Sequence, residues 1–156
     1  MKLTVIAVGN RMPNWIQQGW ETYARRLPKD YALSLKEVKA EPRNSGKSTT
    51  QIMQAEAVRL TGYLPKNAIT IVLDEKGQNL STINIATKLK AWHEYNENVA
   101  FLIGGPDGLA PKLKQDAQEQ WRLSSLTLAH PLVRVILVEQ LYRAWTILHN
   151  HPYHRA

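Results

Sequence analysis

Residues 99–109 read VAFLIGGPDGL, and this stretch decides the fold of the chain. Val99–Ile103 is an unbroken apolar run, which is typical of a strand buried on both faces of a parallel sheet. The run ends at Gly104-Gly105-Pro106-Asp107-Gly108, where three glycines permit positive φ and close approach of another molecule. Ligands bind beyond the carboxyl ends of strands in open α/β sheets, so this turn is a candidate ligand loop. Taken alone, the same residues are also compatible with a plain tight turn.

Size and composition favour a single domain over residues 1–156. A chain of 156 residues buries enough surface to fold without disulfides or metal. It contains no cysteine, which excludes disulfides, zinc–thiolate sites and a thiol nucleophile, and which fits a reducing cytosol. We see no signal peptide and no apolar stretch long enough to span a bilayer. We therefore expect a cytoplasmic protein with no membrane partner.

Positive charge is concentrated in the first third of the sequence. The net charge is +7, and residues 1–47 hold nine Lys or Arg against four Asp or Glu. Trp15, Trp20, Tyr23 and Tyr31 lie among these charges. A basic face with interspersed aromatic residues is typical of polyanion binding, above all of nucleic acid. A solvated surface whose aromatic side chains point into the core is the alternative.

Apolar periodicity predicts strands alternating with helices, the pattern of an α/β sheet. The predicted strands are Lys2–Val8, Tyr31–Lys39 at a sheet edge, Ala68–Leu73 and Val99–Ile103; Trp121–Leu128 is either a fifth strand or a strand that leads into a loop. The predicted helices are Trp15–Leu27 with Asn14 as N-cap, Thr49–Leu60, Thr82–Tyr95 with Ser81 as N-cap, Pro111–Gln120 and Leu132–Asn150. Asp74-Glu75-Lys76-Gly77 is expected to form a second loop on the ligand side of the sheet.

The loop at residues 40–47 contains a fragment of a phosphate-binding motif. Gly46-Lys47-Ser48 matches the end of a P-loop, but the full motif needs a glycine where the chain has Glu41. A carboxylate followed by Pro42 disfavours a cradle of amide donors for a phosphate. A nucleotide hydrolase is therefore a weak alternative, and we interpret the segment as a basic loop that contacts substrate.

The last predicted helix is apolar on nearly all sides. Such a helix is buried on more than one side, so we expect one side to pack on the sheet and another on a second subunit of a homodimer. Arg134 and Arg143 interrupt the apolar surface, and each needs a partner or an anionic ligand there.

The C-terminal tail is rich in histidine. His149, His151 and His154 suggest a metal site, but no cysteine or nearby carboxylate completes one, and we predict no metal. A mobile terminus is one interpretation of these residues. Tyr153, His154 and Arg155 also offer stacking, proton transfer and phosphate contact, which suit a nucleobase.

Several motifs together resemble one known family. They are LIGGPDG at 102–108, LSSLTL at 123–128, HPLVR at 130–134, EQLYRA at 139–144 and NHPYH at 150–154. This combination, along the whole chain, is similar to the RlmH family, the ribosomal large-subunit pseudouridine methyltransferases of the SPOUT (trefoil-knotted) class. Ala129 stands where some members have proline, which affects a loop only slightly.

The resemblance implies the fold and the reaction. The fold would be a doubly wound, mostly parallel α/β sheet with a deep C-terminal trefoil knot, and residues from about 100 to 156 would hold the knot and the cofactor site. The reaction would be transfer of a methyl group from S-adenosylmethionine to N3 of a pseudouridine in 23S rRNA. The family acts as a homodimer on the assembled ribosome, without metal.

The resemblance also implies the residues of the site. The cofactor would be bound by a set that we infer residue by residue: Leu73, Gly104, Gly105, Leu123, Ser124, Ser125, Leu126, Thr127 and Leu128. Because histidine titrates near neutrality, we expect His154 to accept or relay the N3 proton. Tyr153 would stack on the base, and Arg143 or Arg155 would hold phosphate. The main alternative is a homodimer that binds RNA or the ribosome without catalysis.

Overall fold

The computed structural model describes residues 1–44 and 46–154. Within these ranges, strands and helices alternate as the sequence predicts. The strands are β1 (Lys2–Val8), β2 (Leu33–Val38), β3 (Ile69–Asn79), β4 (Asn98–Ile103) and β5 (Glu119–Arg122). The helices are α1 (Asn14–Ala24), α2 (Thr49–Thr61), α3 (Thr82–Glu94), α4 (Pro111–Asp116) and α5 (His130–Leu148), and Lys29–Tyr31 forms a 3-10 turn.

The strands form one parallel sheet in the order β2-β1-β4-β3-β5. Strand β4 is its centre: Phe101 pairs with Val5 of β1 on one side and with Ile71 of β3 on the other. All three side chains are fully buried. The apolar run Val99–Ile103 is therefore in the middle of the sheet, and β2 is an edge strand, as predicted.

Helices cover both faces of the sheet, which confirms the doubly wound α/β class. Helices α1, α3 and α5 pack on one face, where Trp20, Leu89 and Leu141 join the larger apolar core. Helices α2 and α4 lie on the other face, where Leu60 and Leu113 meet a smaller core. The trefoil knot stays a prediction from the resemblance.

Serine caps set two helix starts. Ser48 accepts a hydrogen bond from the backbone N–H of Gln51, and Ser81 does the same for Asn84, each within a reciprocal capping box. The prediction that Asn14 caps the first helix was wrong, because Pro13 holds that position and no side chain caps the helix. At the start of this helix Trp15 is 58% exposed, and Ile16 faces the core.

Further boundaries differ from the predictions. Helix α1 ends at Ala24, and helix α4 is a short helix of six residues. Strand β5 accordingly starts at Glu119 and ends at Arg122, and residues 123–128 form a loop, which agrees with the alternative of a strand that leads into a loop. Helix α5 begins at His130, because Pro131 fits the first turn of a helix and needs no amide partner there.

Helix α5 packs against both α1 and α3 as well as the sheet. Neighbouring helices of the same chain therefore cover much of the apolar surface that suggested a second subunit. Leu132, Val135, Ile136 and Trp145 remain only partly buried. The homodimer stays a proposal, and these four side chains are available to an interface.

Candidate active site

A crevice of about 500 Å³ opens beyond the carboxyl end of β4, next to residues 73–76 in the middle of β3. This volume is typical of a site for a small organic ligand. Its walls come from this part of β3, the glycine loop after β4, the loop after β5 and the first turn of α5. The topology explains the location, since parallel strands bring their carboxyl ends, and the loops that follow them, to one edge of the sheet.

The glycine loop fits closely against itself. The N–H of Gly108 donates to the carbonyl of Gly105 at 2.9 Å, which closes the turn, and Gly108 has a φ of +83°. A Cβ added to Gly104 would lie only 2.7 Å from the carbonyl carbon of Gly108. Glycine is therefore required at position 104, and the bare backbone at this position forms part of the crevice wall.

The structure brings together eight of the nine predicted cofactor residues. The crevice is lined by Leu73, Gly104, Gly105, Leu123, Ser124, Leu126, Thr127 and Leu128. Ser125 is exposed and does not line it. Within the loop, the backbone N–H of Leu126 donates to the hydroxyl of Ser124 at 2.9 Å, while the Leu126 side chain is 73% exposed. That arrangement leaves an apolar side chain at the mouth of the crevice for a ligand to cover.

The segment at residues 74–77 is a strand and not the predicted loop. Residues 74–77 belong to β3, which continues to Asn79 and contains an irregularity where its register with β5 shifts after Leu73. Asp74, Glu75 and Lys76 line the crevice as predicted for a ligand-side segment, and Asp74 lies 3.7 Å from Lys114. Gly77 permits the irregularity, because a Cβ there would lie 2.7 Å from the backbone of β5.

A buried cation supports the wall next to β1. The Arg134 guanidinium is 1% exposed, pairs with Glu37 at 2.6 Å and donates to the carbonyl of Gly9 at 3.3 Å. His130, one turn earlier on α5, lines the crevice. The expectation that Arg134 needs a partner is therefore confirmed, and the partner is a side chain of the edge strand β2.

Ion pairs hold Glu41, Arg43 and Lys47 of the basic loop in place. Glu41 is buried and pairs with both Lys47 and Arg59, and these hydrogen bonds lower the pKa of Glu41. Because the Lys47 ammonium is held by this carboxylate, Gly46-Lys47-Ser48 does not form a phosphate cradle. Arg43 pairs with Asp107 at 2.6 Å and so links the basic loop to the glycine loop.

A buried carboxyl lies behind the glycine loop. Glu56 is 2% exposed and accepts a hydrogen bond from the backbone N–H of Glu41 at 3.1 Å. Its second oxygen has no hydrogen-bond partner among the described residues and lies 3.3 Å from the place where a Cβ on Gly105 would stand. Burial raises the pKa of Glu56. No sequence signal marked this residue, because a glutamate in a helix ordinarily faces solvent.

The predicted catalytic residues lie in the last half of α5, which holds Arg143, and in the tail that follows it, which holds Tyr153 and His154. Arg143 pairs with Glu139 at 2.7 Å and lies over the Tyr153 ring, 4.9 Å from its centroid. The Tyr153 hydroxyl donates to Glu139 at 2.9 Å, and burial together with this carboxylate raises the pKa of Tyr153 to about 12. The Nδ1 atom of His154 is buried and has no hydrogen-bond partner among the described residues. Arg155 lies outside the described residues.

This tail cluster is separate from the crevice of its own chain. None of Arg143, Tyr153 and His154 lines the crevice. Arg143 lies about 20 Å along α5 from His130, at 1.5 Å per residue. One chain thus presents the two halves of the expected site at opposite ends of the same helix.

The described part of the chain has neither a metal-binding cluster nor a membrane-spanning helix. No group of three or more His, Cys, Asp or Glu side chains there is placed to hold a metal ion. No helix in residues 1–44 and 46–154 is both long and apolar enough to cross a membrane.

Comparison with known proteins now defines the class. The sequence profile described as "Predicted SPOUT methyltransferase" matches residues 1–154. The chain belongs to the SPOUT methyltransferase family. A probable methylase family protein from Haemophilus influenzae has a similar fold, with a TM-score of 0.55 and 11% identity over 99% of this chain and 70% of that one.

Closer relatives specify the branch of the family. The Bordetella petrii protein named ribosomal RNA large subunit methyltransferase H is 56% identical over 156 residues, which cover both chains completely. The Paraburkholderia xenovorans protein of the same name is 51% identical, again over the full length of both. Within the SPOUT family, the chain groups with these large-subunit methyltransferases.

Proposed function

We propose that this protein transfers the methyl group of S-adenosylmethionine to N3 of a pseudouridine in 23S rRNA, on the assembled ribosome in the cytoplasm. The observation that carries the proposal is the crevice at the carboxyl edge of the sheet, built from the residues that the family resemblance assigns to the cofactor. Full-length identity of 51–56% to methyltransferases named for the large-subunit rRNA supports the substrate class.

The crevice fits S-adenosylmethionine chemically. Its sulfonium supplies a methyl group that is already activated, so the residues of this chain need mainly to bind and to align. The cofactor carries no phosphate, which agrees with the absence of a P-loop cradle. Backbone at Gly104 and Gly105 permits close approach to the adenine or the methionine arm, and the Leu123–Leu128 loop offers backbone N–H and C=O groups.

The tail is proposed to hold the target base. Tyr153 keeps its proton at neutral pH, because its pKa is about 12, so it serves as a stacking surface rather than as a base. Arg143 would hold a backbone phosphate of the RNA. To do so, it would give up part of its ion pair with Glu139. His154 has an unpartnered ring nitrogen in the described structure and would accept the N3 proton.

A homodimer would unite the two halves of the site. The tail and the crevice of one chain lie about 20 Å apart along α5, so the tail of one subunit would complete the crevice of the other. Mixing two inactive variants tests this arrangement. Gly104→Ala impairs the crevice and Arg143→Ala impairs the tail, and in a mixed dimer one of the two sites would be intact.

The composite arrangement predicts a definite recovery. Random exchange of subunits should restore about a quarter of wild-type activity, since half of the dimers are mixed and each has one good site. If each site used only its own chain, mixing would restore nothing, and that result would contradict the composite site.

The function itself is tested by methyl transfer. The protein is incubated with labelled S-adenosylmethionine and either ribosomes lacking this methyl group or protein-free rRNA. We expect label in ribosomes and little in free RNA. Gly62→Ala is the matched control for Gly104→Ala, because position 62 lies at the end of α2 with room for a methyl group. Ribosome association without cofactor binding would instead favour the non-catalytic dimer.

A further inference from the structure

His130 is a polar side chain of the crevice that the proposed roles leave unused. It is the first residue of α5, and it is the only histidine among the described residues that line the crevice. The structure places its imidazole on the wall next to the end of β1.

The neighbours of His130 lie close to its imidazole but form no hydrogen bond with it among the described residues. Gly9 lies next to both side chains: the place where a Cβ on Gly9 would stand is 3.9 Å from the imidazole Nε2 and 3.8 Å from the Arg134 guanidinium. Arg134 pairs with Glu37 and donates to the carbonyls of Val8 and Gly9. Among the described residues, the His130 imidazole makes no hydrogen bond, and its polar atoms are therefore available to a ligand.

The surroundings keep this imidazole neutral. Burial lowers the pKa of His130, and the positive charges of Arg134 and Arg43 lower it further. The N-terminal end of α5 also disfavours a cation at its first residue. A neutral imidazole has one N–H donor and one acceptor nitrogen at physiological pH. A neutral histidine of this kind can polarise a carbonyl oxygen, as in triosephosphate isomerase.

The proposed reaction needs such a donor. The N3–H bond of the base breaks and its proton goes to the tail histidine. The N3 electron pair forms the new N–CH3 bond while the S–CH3 pair returns to sulfur. Before transfer, the negative charge of the deprotonated imide is shared between N3 and the two carbonyl oxygens that flank it. A hydrogen bond to one of these oxygens stabilises the charged base more than the neutral one.

We propose that His130 contacts the target base and donates a hydrogen bond to a carbonyl oxygen that flanks N3. This inference rests on the proposed function. In this arrangement the target base is contacted by His130 from the crevice as well as by the residues of the tail. The role differs from that of His154, because His130 donates a proton in a hydrogen bond and does not take one up.

Three substitutions test the role. His130→Ala removes the donor, whereas His130→Gln and His130→Asn place an amide N–H near the Nε2 and Nδ1 positions but cannot accept a proton. His93→Ala is the control, since His93 stacks on Tyr31 and does not line the crevice. For each variant, kcat and KM on ribosomes, the Kd for S-adenosylmethionine and the Tm are measured.

Loss of one such donor commonly lowers kcat about 10²- to 10³-fold, and we expect this for His130→Ala with the cofactor Kd and the Tm close to wild type. At least one amide variant should recover part of kcat. Wild-type kcat in His130→Ala would overturn the inference, as would equal loss in all three variants or a loss explained by a higher cofactor Kd or a lower Tm. A wild-type protein that methylates no ribosome would overturn the proposed function itself.

Discussion

Substitution of one glycine in the loop after β4 should weaken cofactor binding by a calculable amount. A Cβ on Gly104 would lie 2.7 Å from the carbonyl carbon of Gly108, 2.9 Å from its oxygen and 3.0 Å from the Leu109 side chain. Carbon atoms in contact prefer about 3.5–4.0 Å, so the loop must open by about 1 Å. Two of the three contacts are backbone atoms, and no rotamer change relieves them.

Overpacking of this kind costs about 1–3 kcal/mol. If the cofactor requires the closed loop, that free energy appears as an increase of about 5- to 150-fold in the Kd for S-adenosylmethionine. Isothermal titration calorimetry measures the Kd, and thermal unfolding checks that the domain is still folded. Gly62→Ala is the control: its Cβ has no neighbour closer than 3.4 Å, so we expect unchanged binding and an unchanged or slightly raised Tm. A wild-type Kd in folded Gly104→Ala would refute the assignment of this loop to the cofactor.

Three other perturbations have definite expected outcomes. Arg134→Met leaves Glu37 and the carbonyls of Val8 and Gly9 without their partner, and should lower the free energy of unfolding in urea by about 3–5 kcal/mol; a loss below about 1 kcal/mol would show that the pair is dispensable. The pKa of Glu56 is raised in the fold, so the folded state holds this proton more tightly and stability falls as pH rises above the unfolded pKa. Glu56→Gln should therefore raise the Tm above that of the wild type by more at pH 7 than at pH 4. The same Tm difference between variant and wild type at both pH values would contradict the burial argument. Tyr153→Ala should raise KM for ribosomes about 5- to 150-fold, because stacking on a base is worth about 1–3 kcal/mol, while Tyr153→Phe keeps the ring and should stay close to wild type; equal loss in both would point to the hydroxyl and its bond to Glu139.

Periodicity predicted the sheet well because its signals are local. The apolar run at 99–103 and the strand at Lys2–Val8 need no knowledge of their partners to be recognised as buried. The Ser48 and Ser81 caps are likewise decided within four residues. The boundary errors lie where distant contacts decide the structure. Strand β3 extends past Leu73 to Asn79, where Gln78 and Asn79 pair with β5, and this long-range pairing is not visible in a linear pattern.

Two parts of the site, the glycine loop and the Leu123–Leu128 segment, could be predicted from the sequence. Both belong to motifs whose combination is specific to a family. Glu56 and His130 were not assigned roles, because a helix glutamate and a histidine before proline have ordinary structural explanations. Likewise, the separation of the tail from the crevice depends on the full length of α5 and appears only in three dimensions.

The most direct test of the account is the identity of the methylated nucleoside. After methyl transfer to assembled ribosomes, the 23S rRNA is digested and the labelled nucleoside is identified by chromatography and mass spectrometry. We expect a single product, pseudouridine methylated at N3. The wild type and Gly62→Ala should form it, and Gly104→Ala should form much less of it. Methyl label on another nucleoside, or at N1 of pseudouridine, would contradict the proposed reaction.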